Sequence, residues 1–504
     1  LTRRERYAYE LIADSQYQPG NLRYNQKHFA LLVPQGYPVE ALQQRLQLAS
    51  GAAVTPVELS LQRPITSAIT QPLSQLTVGL TDTQLSWQDH YQLPDLTQAH
   101  RLVDEYCLSY LSSFLINTGR LTQGDSLNAD NLIKRFSLPE QLHRYADYFI
   151  HMLQEDGYLV HNNDTSTLSF TLNKNLAELR APEDILKDIQ RITHLFDGQL
   201  TLVRHAIDSY DKVLNNEIQP IEVLYPDGSN QMIQDTYTGS IQQVEDELIM
   251  SLFEDLFKRM VEGVDTIRIM EVGGGWGMAM RRIMPMLAHV SHVEFWFTDV
   301  GSTFLTDAKQ FALEQGYDHM TFGVFDITKP AKNQGLPDGY FDLIYAYNVV
   351  HATKHIGQVA SNLEPLLNDN GIFCLLERTN TRRYVDLAWG MADGWWHFDQ
   401  EERALSPLVS LPRWTEILQS VSFETVATYP ADAATQKRMD VGLIIAQARS
   451  GSARNAAQSA IQNSIDINSI WREPTQPQPV DNFDNGAQLD GILVLDTPLA
   501  QDTD

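Results

Sequence analysis

Residues 267–281, IRIMEVGGGWGMAMR, decide the fold of this chain. The run 267–272 is short and mostly apolar, which is typical of a buried strand. A glycine-dense turn occupies 273–277, and the residues after it return to helical spacing. A strand, a glycine turn and a helix in this order predict the nucleotide-binding corner of a doubly wound α/β sheet.

The acid at the end of this strand, Glu271, indicates which ligand the turn would bind. A phosphate group would be repelled by a carboxylate, whereas S-adenosylmethionine carries an ammonium and a sulfonium group and no phosphate. The pattern E-x-G-x-G-x-G, with Gly273, Gly275 and Gly277, therefore favours S-adenosylmethionine over a dinucleotide. The alternative is a glycine-rich turn that binds nothing.

Two later strands place further residues near such a cofactor. Residues 294–300, EFWFTDV, carry Asp299 next to their last position, and an acid at this point of the fold hydrogen-bonds ribose hydroxyls. The alternative role of Asp299 is to cap the next helix. Residues 321–327, TFGVFDI, predict a third strand that would place Phe325 over the adenine ring and Asp326 beside its amino group.

A fourth strand is predicted within 341–353, FDLIYAYNVVHAT, and a fifth at 371–377, GIFCLLE. His351 and Glu377 follow these two neighbouring strands at the sheet edge where ligands bind. A carboxylate that orients an imidazole makes it a better base, so the two residues are a candidate catalytic dyad. The alternative is that His351 caps a helix and Glu377 pairs with Arg378 or Arg382.

A metal site is a weaker interpretation of the same region. His355 lies four residues after His351, and on a helix the two side chains would share a face. With Glu377 they would form a possible ligand set.

The composition excludes several classes of protein. The 504 residues include 64 acidic and 37 basic ones, and a net charge of -27 argues against broad nucleic-acid binding. Two cysteines, Cys107 and Cys374, give no disulfide framework. No apolar run is long enough to cross a bilayer. These features favour a cytoplasmic protein with no membrane segment.

We expect four regions along the chain. Strand, helix and strand patterns predict a small α/β segment at the N-terminus, and the polar stretch 65–90 is interpreted as a linker or loose surface. The segment 489–499, LDGILVLDTPL, either begins another domain or pairs with the N-terminal segment. The predicted regions are a flanking segment at 1–95, a helical lid subdomain at 96–240, the core at 241–449, and a linker with a C-terminal flanking segment at 450–504.

Several motifs in order resemble the C-methyltransferase domains of polyketide synthases and of mixed polyketide–peptide synthases. They are EVGGGWG, FTDVGSTFL, FDLIYAYNVVHAT, LLERT and WGMADGWWHFDQEERALSPLVSLPRW. The resemblance extends from about Leu138 to about Ala448. It implies a class I, Rossmann-like S-adenosylmethionine methyltransferase core with an N-terminal helical lid.

The resemblance also implies a reaction and its residues. The acceptor would be the α-carbon of a β-ketoacyl thioester, delivered on the phosphopantetheine arm of an acyl carrier protein by neighbouring synthase domains. By this resemblance, His351 matches the general base of the family and Glu377 matches its partner. Tyr237 matches a lid tyrosine that faces the substrate, and Asn348 is expected to be one of the cofactor-binding residues. No metal is required. Alternatives are O-methylation of a β-hydroxyacyl carrier substrate, metal-assisted chemistry in a loading module, and a catalytically silent structural or carrier-binding domain.

Two features depart from the family pattern. Gly274 and Trp276 stand where small residues such as Ala and Thr are commoner, so Trp276 would crowd the methionine end of the cofactor or stack beneath it. The acidic surface would also need a local basic patch to meet an acidic carrier protein. Candidates for that patch are Arg281, Arg282, Arg382, Arg383 and Arg403.

Overall fold

A computed structural model of the chain describes residues 28–33, 53–58, 67–91, 96–120, 126–161, 170–172, 176–215, 217–317, 319–392, 394–398, 403, 405–421, 423–449 and 493–495. Near the N-terminus it contains strands β1 (His28–Val33) and β2 (Ala53–Glu58), which pair in parallel. Both strands of the expected α/β segment are therefore confirmed. The helix predicted between them lies outside the described residues.

The polar stretch that was interpreted as a linker is helical and packed. It contains α1 (Leu73–Leu76) and α2 (Leu80–Tyr91), and five of its apolar residues are buried in the core of the large sheet, namely Ile69, Leu73, Leu76, Leu80 and Trp87. The prediction was wrong because Leu73, Leu76, Leu80 and Trp87 recur at helical spacing within a polar composition. Hydrogen bonds join the stretch to the core: Gln447 Oε1 accepts from the Leu73 amide at 2.8 Å.

A helical block follows, as predicted. Three short antiparallel strands, in the order β3-β5-β4, accompany the helices. The elements are α3 (Thr97–Asn117), β3 (Ser126–Leu127), α4 (Ala129–Phe136), α5 (His143–Glu155), β4 (Leu159–His161), β5 (Phe170–Leu172), α6 (Pro182–Ile192), α7 (Asp197–Asp208), α8 (Tyr210–Leu214), α9 (Pro220–Leu224) and α10 (Gln231–Tyr237).

The long helix α11 (Ile241–Val261) leads into an α/β core with a seven-stranded sheet in the order β11-β12-β10-β9-β6-β7-β8. All five predicted parallel strands are present. Its elements are β6 (Thr266–Val272), α12 (Met278–Ile283), β7 (His292–Asp299), α13 (Ser302–Gln315), β8 (Met320–Val324), β9 (Phe341–Tyr347), α14 (Ile356–Leu363), β10 (Leu367–Arg378), α15 (Arg383–Trp389), α16 (Leu411–Ser420), β11 (Thr425–Tyr429), α17 (Ala433–Arg438) and β12 (Val441–Gln447).

The sheet order creates the crevice that positions the site. Strand β6 pairs in parallel with β7 on one side and with β9 on the other, so the chain reverses its direction of winding at β6. In open α/β sheets ligands bind at this switch point, outside the carboxyl ends of the strands. At the far edge β12 runs antiparallel to β10, and β11 antiparallel to β12.

The helical block is completed by a segment that follows the fifth parallel strand. Helix α15 contributes to the same hydrophobic cluster as α3, α5 and α7, and so do the buried residues Met391, Trp396, Phe398 and Leu408 that follow it. The Trp396 ring packs edge-on against Tyr145, with centroids 5.9 Å apart, and Arg383 pairs with Glu155 at 2.9 Å. These side chains therefore belong to the core of the helical block, although strands of the sheet precede and follow them in sequence.

The sequence left open whether the segment 489–499 begins another domain or pairs with the N-terminal segment. Strand β13 (Leu493–Leu495) pairs antiparallel with β1, so it joins the N-terminal strands in the order β13-β1-β2. Within the described part of the chain, none of the helices is both long enough and apolar enough to cross a membrane.

Candidate active site

The glycine turn after β6 leaves backbone open to a ligand. Gly275 has a φ of +49°, which favours glycine, and its amide donates to Asp299 Oδ2 at 2.9 Å. A Cβ atom added at Gly275 would meet only the Gly273 carbonyl oxygen, at 4.0 Å. The space beside this residue is therefore available for close approach of a cofactor.

Gly274, one of the two departures from the family pattern, has a packing explanation. A Cβ atom at this position would lie 2.4 Å from the ring of Phe297, which is fully buried on β7. The other departure, Trp276, is 48% exposed and packs edge-on against Phe304 of α13, with centroids 5.2 Å apart.

Glu271 is the buried carboxylate of the turn. It is 1% exposed, and its Oε2 has no hydrogen-bond partner among the described residues. Burial raises the pKa of Glu271 to about 8, Asp299 adds to this effect, and the nearby Tyr345 hydroxyl opposes it. An unpartnered buried carboxylate oxygen fits a cationic ligand group such as the ammonium of S-adenosylmethionine.

Asp299 lies at the end of β7 and hydrogen-bonds both the glycine turn after β6 and the residues that follow β7. Besides the Gly275 amide, its carboxylate accepts from the Gly301 amide at 2.7 Å. It makes no side-chain cap to α13, whose N-cap residue is Gly301. Two carboxylate oxygens offer about four acceptor positions, so capacity remains for ribose hydroxyls. That role stays a prediction.

The residues expected at the adenine follow β8. Phe325 is buried, while Asp326 is partly exposed and accepts from the Thr328 hydroxyl at 2.6 Å. Lys329 Nζ lies 3.0 Å from the same carboxylate, and the Thr328 hydrogen bond is the largest cause that lowers the pKa of Asp326. Contacts of these residues with adenine remain predictions.

The structure brings His351 and Glu377 together. His351 lies in a short turn after β9, and its Nδ1 hydrogen-bonds Glu377 Oε2. The other carboxylate oxygen accepts from the amides of Val349 and Val350 at 3.2 and 2.7 Å. With Nδ1–H donated to Glu377, the Nε2 atom carries the lone pair that can accept a proton. Both side chains are more than nine-tenths buried.

The alternative partners of Glu377 pair elsewhere. Arg378 lies 3.7 Å from Asp246, and Arg382 Nε pairs with Asp440 at 2.5 Å. The premise of the metal interpretation is also wrong, because the turn that holds His351 ends before α14 begins and His355 is not on a common helix with it. The described residues contain no cluster of three or more His, Cys, Asp or Glu arranged to hold a metal ion.

The expected basic patch is wrong for three of its five arginines. Arg403 is 4% exposed, and its guanidinium donates to the carbonyl oxygens of His351 at 2.7 Å and of Thr353 at 2.6 Å. Arg382 and Arg383 are engaged in the interior pairs described above. Sequence reasoning missed the role of Arg403 as the residue that holds the His351 turn, because this contact spans 52 residues.

Two further predicted residues line the same edge. Asn348 adopts a φ of +54°, and its side-chain oxygen accepts from the Arg378 amide at 3.0 Å, which joins the ends of β9 and β10. Tyr237 is the last residue of α10, and its hydroxyl donates to Asp246 Oδ2 at 3.0 Å. Their expected roles toward cofactor and substrate stay predictions.

Comparison with known proteins places this site in a family. Residues 270–373 match the family model described as a methyltransferase domain. Polyketide synthase ThaQ of Burkholderia thailandensis is 30% identical over 274 residues, which are 52% of this chain and 13% of that protein. Squalestatin tetraketide synthase clz2 of Cochliobolus lunatus is 30% identical over 263 residues, 52% of this chain and 10% of that protein. The chain thus spans only a small part of these relatives.

The solved CurJ carbon methyltransferase has the same architecture. It is 25% identical, with a TM-score of 0.62, over 75% of this chain and 98% of that one. This chain contains a methyltransferase domain, and the relatives that resemble this part of the chain are polyketide synthases. The methyltransferase domain depends on S-adenosylmethionine, as its family does.

Proposed function

We propose that the methyltransferase domain methylates the α-carbon of a β-ketoacyl thioester carried on the phosphopantetheine arm of an acyl carrier protein. The observation that carries the proposal is the buried His351–Glu377 pair at the strand ends beside the glycine turn. Likeness to the CurJ carbon methyltransferase and to polyketide synthases supports carbon as the acceptor and neighbouring synthase domains as partners. We also propose that the protein acts in the cytoplasm, by analogy with these synthases.

The cofactor would lie against the turn after β6. Glu271 would face its ammonium group, the backbone of Gly273, Gly275 and Gly277 would lie along it, and Asp299 would accept from its ribose. S-adenosylmethionine supplies an electrophilic methyl group when it is bound. The residues themselves bind and orient the reactants, and holding two reactants in attack geometry lowers the barrier by several kcal/mol.

The chemical step that the protein itself performs is proton removal. The ketone and the thioester both acidify the α-carbon, and His351 Nε2 accepts the proton that leaves it. The electron pair of the broken C–H bond remains on the substrate as an enolate. Its α-carbon would form the new bond to the methyl group as the bond between that methyl group and the sulfonium breaks, and the electron pair of the broken bond would stay on the sulfur, leaving S-adenosylhomocysteine. Glu377 stabilises the charged imidazole through Nδ1, and the amides of Val349 and Val350 keep that carboxylate in place. General-base catalysis of this kind typically contributes about 10²–10⁴-fold in rate.

We retain the division of the chain as a proposal: a flanking segment at 1–95, a lid at 96–240, a core at 241–449 and a C-terminal flanking segment at 450–504. We propose one change to this division: α15 and the buried residues Met391, Trp396, Phe398 and Leu408 belong to the lid rather than to the core, because their side chains complete its hydrophobic cluster. In this arrangement the lid and the strand ends enclose the acceptor between Tyr237 and His351.

The test is mass spectrometry of an acetoacetyl-loaded carrier protein after incubation with this chain and S-adenosylmethionine. We expect a gain of one methyl group, placed on the α-carbon by fragmentation, and a fall of about 10²–10⁴-fold in rate for His351→Ala. His355→Ala is the matched control, since this histidine lies outside the dyad, and it should keep its activity.

Other outcomes would replace the proposal. Methylation of the oxygen of a β-hydroxyacyl carrier substrate, with none on acetoacetyl, would assign the domain to O-methylation. Binding of neither S-adenosylmethionine nor its demethylated product would indicate a silent structural domain. Activity that disappears with a chelator would indicate the metal-assisted alternative.

A further inference from the structure

The carboxylate of Asp246 holds the lid tyrosine, Tyr237. Asp246 is 3% exposed on α11, and its Oδ2 accepts from the Tyr237 hydroxyl at 3.0 Å. The link between the two residues is short and fixed, because Ser240 caps α11 by accepting from the Gln243 amide. The hydroxyl of the tyrosine is therefore set by α11 rather than by α10, to which the tyrosine belongs.

The charge and the proton of this contact can be assigned. An ionised carboxylate only accepts hydrogen bonds, so the Tyr237 hydroxyl must be the donor. Burial raises the pKa of Asp246, whereas Arg378, whose Nη2 lies 3.7 Å from Asp246 Oδ1, lowers it together with the hydroxyls of Tyr347 and Tyr237. The arginine and the two hydroxyl donors therefore favour the ionised carboxylate against the cost of burial. Burial and the Asp246 charge raise the pKa of Tyr237, which keeps its hydroxyl protonated near neutral pH.

The partners of Asp246 come from the strand ends that carry the dyad. Tyr347, whose hydroxyl is a second hydrogen-bonding neighbour of this carboxylate, ends β9 four residues before His351. Arg378 directly follows Glu377 at the end of β10. Asp246 thus connects the lid tyrosine with both catalytic strands of the sheet.

We propose that Asp246 is a positioning residue that holds Tyr237 as a hydrogen-bond acceptor toward the reaction site, with the hydroxyl proton committed to the Asp246 carboxylate. This inference rests on the proposed function, in which Tyr237 faces the acceptor. Its consequence is specific: Tyr237 does not donate to the enolate oxygen. The tyrosine therefore contributes to the placement of the reactants for methyl transfer and not to the removal of the α-proton.

Two rates separate these contributions. Exchange of the α-proton of acetoacetyl carrier protein for deuterium, measured with S-adenosylhomocysteine bound, reports proton removal alone. Single-turnover methyl transfer reports both steps. The variants are Tyr237→Phe, Asp246→Asn and their double, with Tyr225→Phe as the matched control, because that lid tyrosine packs against Trp389 and makes no contact with Asp246.

We expect Tyr237→Phe and Asp246→Asn each to slow methyl transfer at least tenfold while α-proton exchange stays within threefold of the original chain. The double variant should be no more than twofold slower than the slower single variant, because Asp246 acts through Tyr237. Calorimetric affinity for S-adenosylhomocysteine should stay within threefold, and Tyr225→Phe should transfer methyl groups at the original rate.

Three results would overturn the inference: effects that multiply in the double variant, an Asp246→Asn variant as fast as the original chain, or exchange slowed as much as transfer. If Asp246→Asn alone does not fold, the cause would be the buried Arg378 charge that has lost its partner. Arg378→Met is then combined with Asp246→Asn to remove that charge, and the effect of Tyr237→Phe is measured in this double variant. Failure of the proposed function looks different: either the original chain would transfer no methyl group to acetoacetyl carrier protein, or His351→Ala would leave both rates unchanged.

Discussion

The buried carboxylate of Glu271 predicts that cofactor binding is coupled to release of a proton. Burial raises the pKa of Glu271 to about 8 in the free protein, so at pH 7 about a tenth of the molecules carry the charge. A ligand ammonium beside this carboxylate favours the ionised form. Affinity should therefore rise as the pH rises toward 8, where ionisation of Glu271 no longer opposes binding.

The magnitude follows from the difference between the pH and the pKa. Well below pH 8 the affinity changes by about tenfold per pH unit, because each unit corresponds to about 1.4 kcal/mol of ionisation free energy, and the dependence flattens as the pH approaches the pKa of Glu271. Between pH 6 and pH 8 the dissociation constant of S-adenosylhomocysteine should fall by about fiftyfold. At pH 7 binding should release close to one proton.

Titration calorimetry measures both quantities when each pH is run in two buffers of different ionisation enthalpy. Glu271→Gln should bind with little pH dependence, and methylthioadenosine, which lacks the amino-acid portion of the ligand, should bind the original chain with none. An equal slope for methylthioadenosine, or a slope retained in Glu271→Gln, would refute the assignment of Glu271 to the ammonium group.

Three further predictions concern stability and the dyad. Gly274→Ala should lower the free energy of unfolding by about 1–3 kcal/mol through overpacking against Phe297. Thermal unfolding measures this loss, and Phe297→Leu, which removes the ring, should restore part of it. Arg403→Met should lower turnover without weakening S-adenosylhomocysteine binding, since it frees the His351 turn; unchanged turnover would contradict this. Asp342→Ala should cost at least about 2–3 kcal/mol, because two backbone amides lose their acceptor; denaturant unfolding checks it.

The sheet and the dyad could be predicted because their signals are local. Parallel strands buried on both faces appear as short apolar runs, and the residues that follow them must meet at one edge of the sheet. The contact between His351 and Glu377 needed no more than the strand order. The glycine turn and the acid before it could be recognised because the residues that indicate cofactor binding are adjacent in sequence.

What was missed depends on contacts between distant parts of the chain. Arg403 appears in sequence as one more surface cation, and only its placement against the His351 turn shows what it does. The helical stripe of α2 was hidden by its polar composition, which reflects the exposed face and not the buried one.

The lid is built from two segments that are far apart in sequence, so its parts are synthesised at different times. Helices α3 to α10 leave the ribosome first, but Trp396 and Phe398, which complete their hydrophobic cluster, follow roughly 160 residues later. At about 5–20 residues per second this interval lasts about 10–30 s. During that time the block carries an open apolar groove, and the whole parallel sheet is made before it can close. An exchange of lids between synthases must for the same reason move residues 384–408 together with the N-terminal helices.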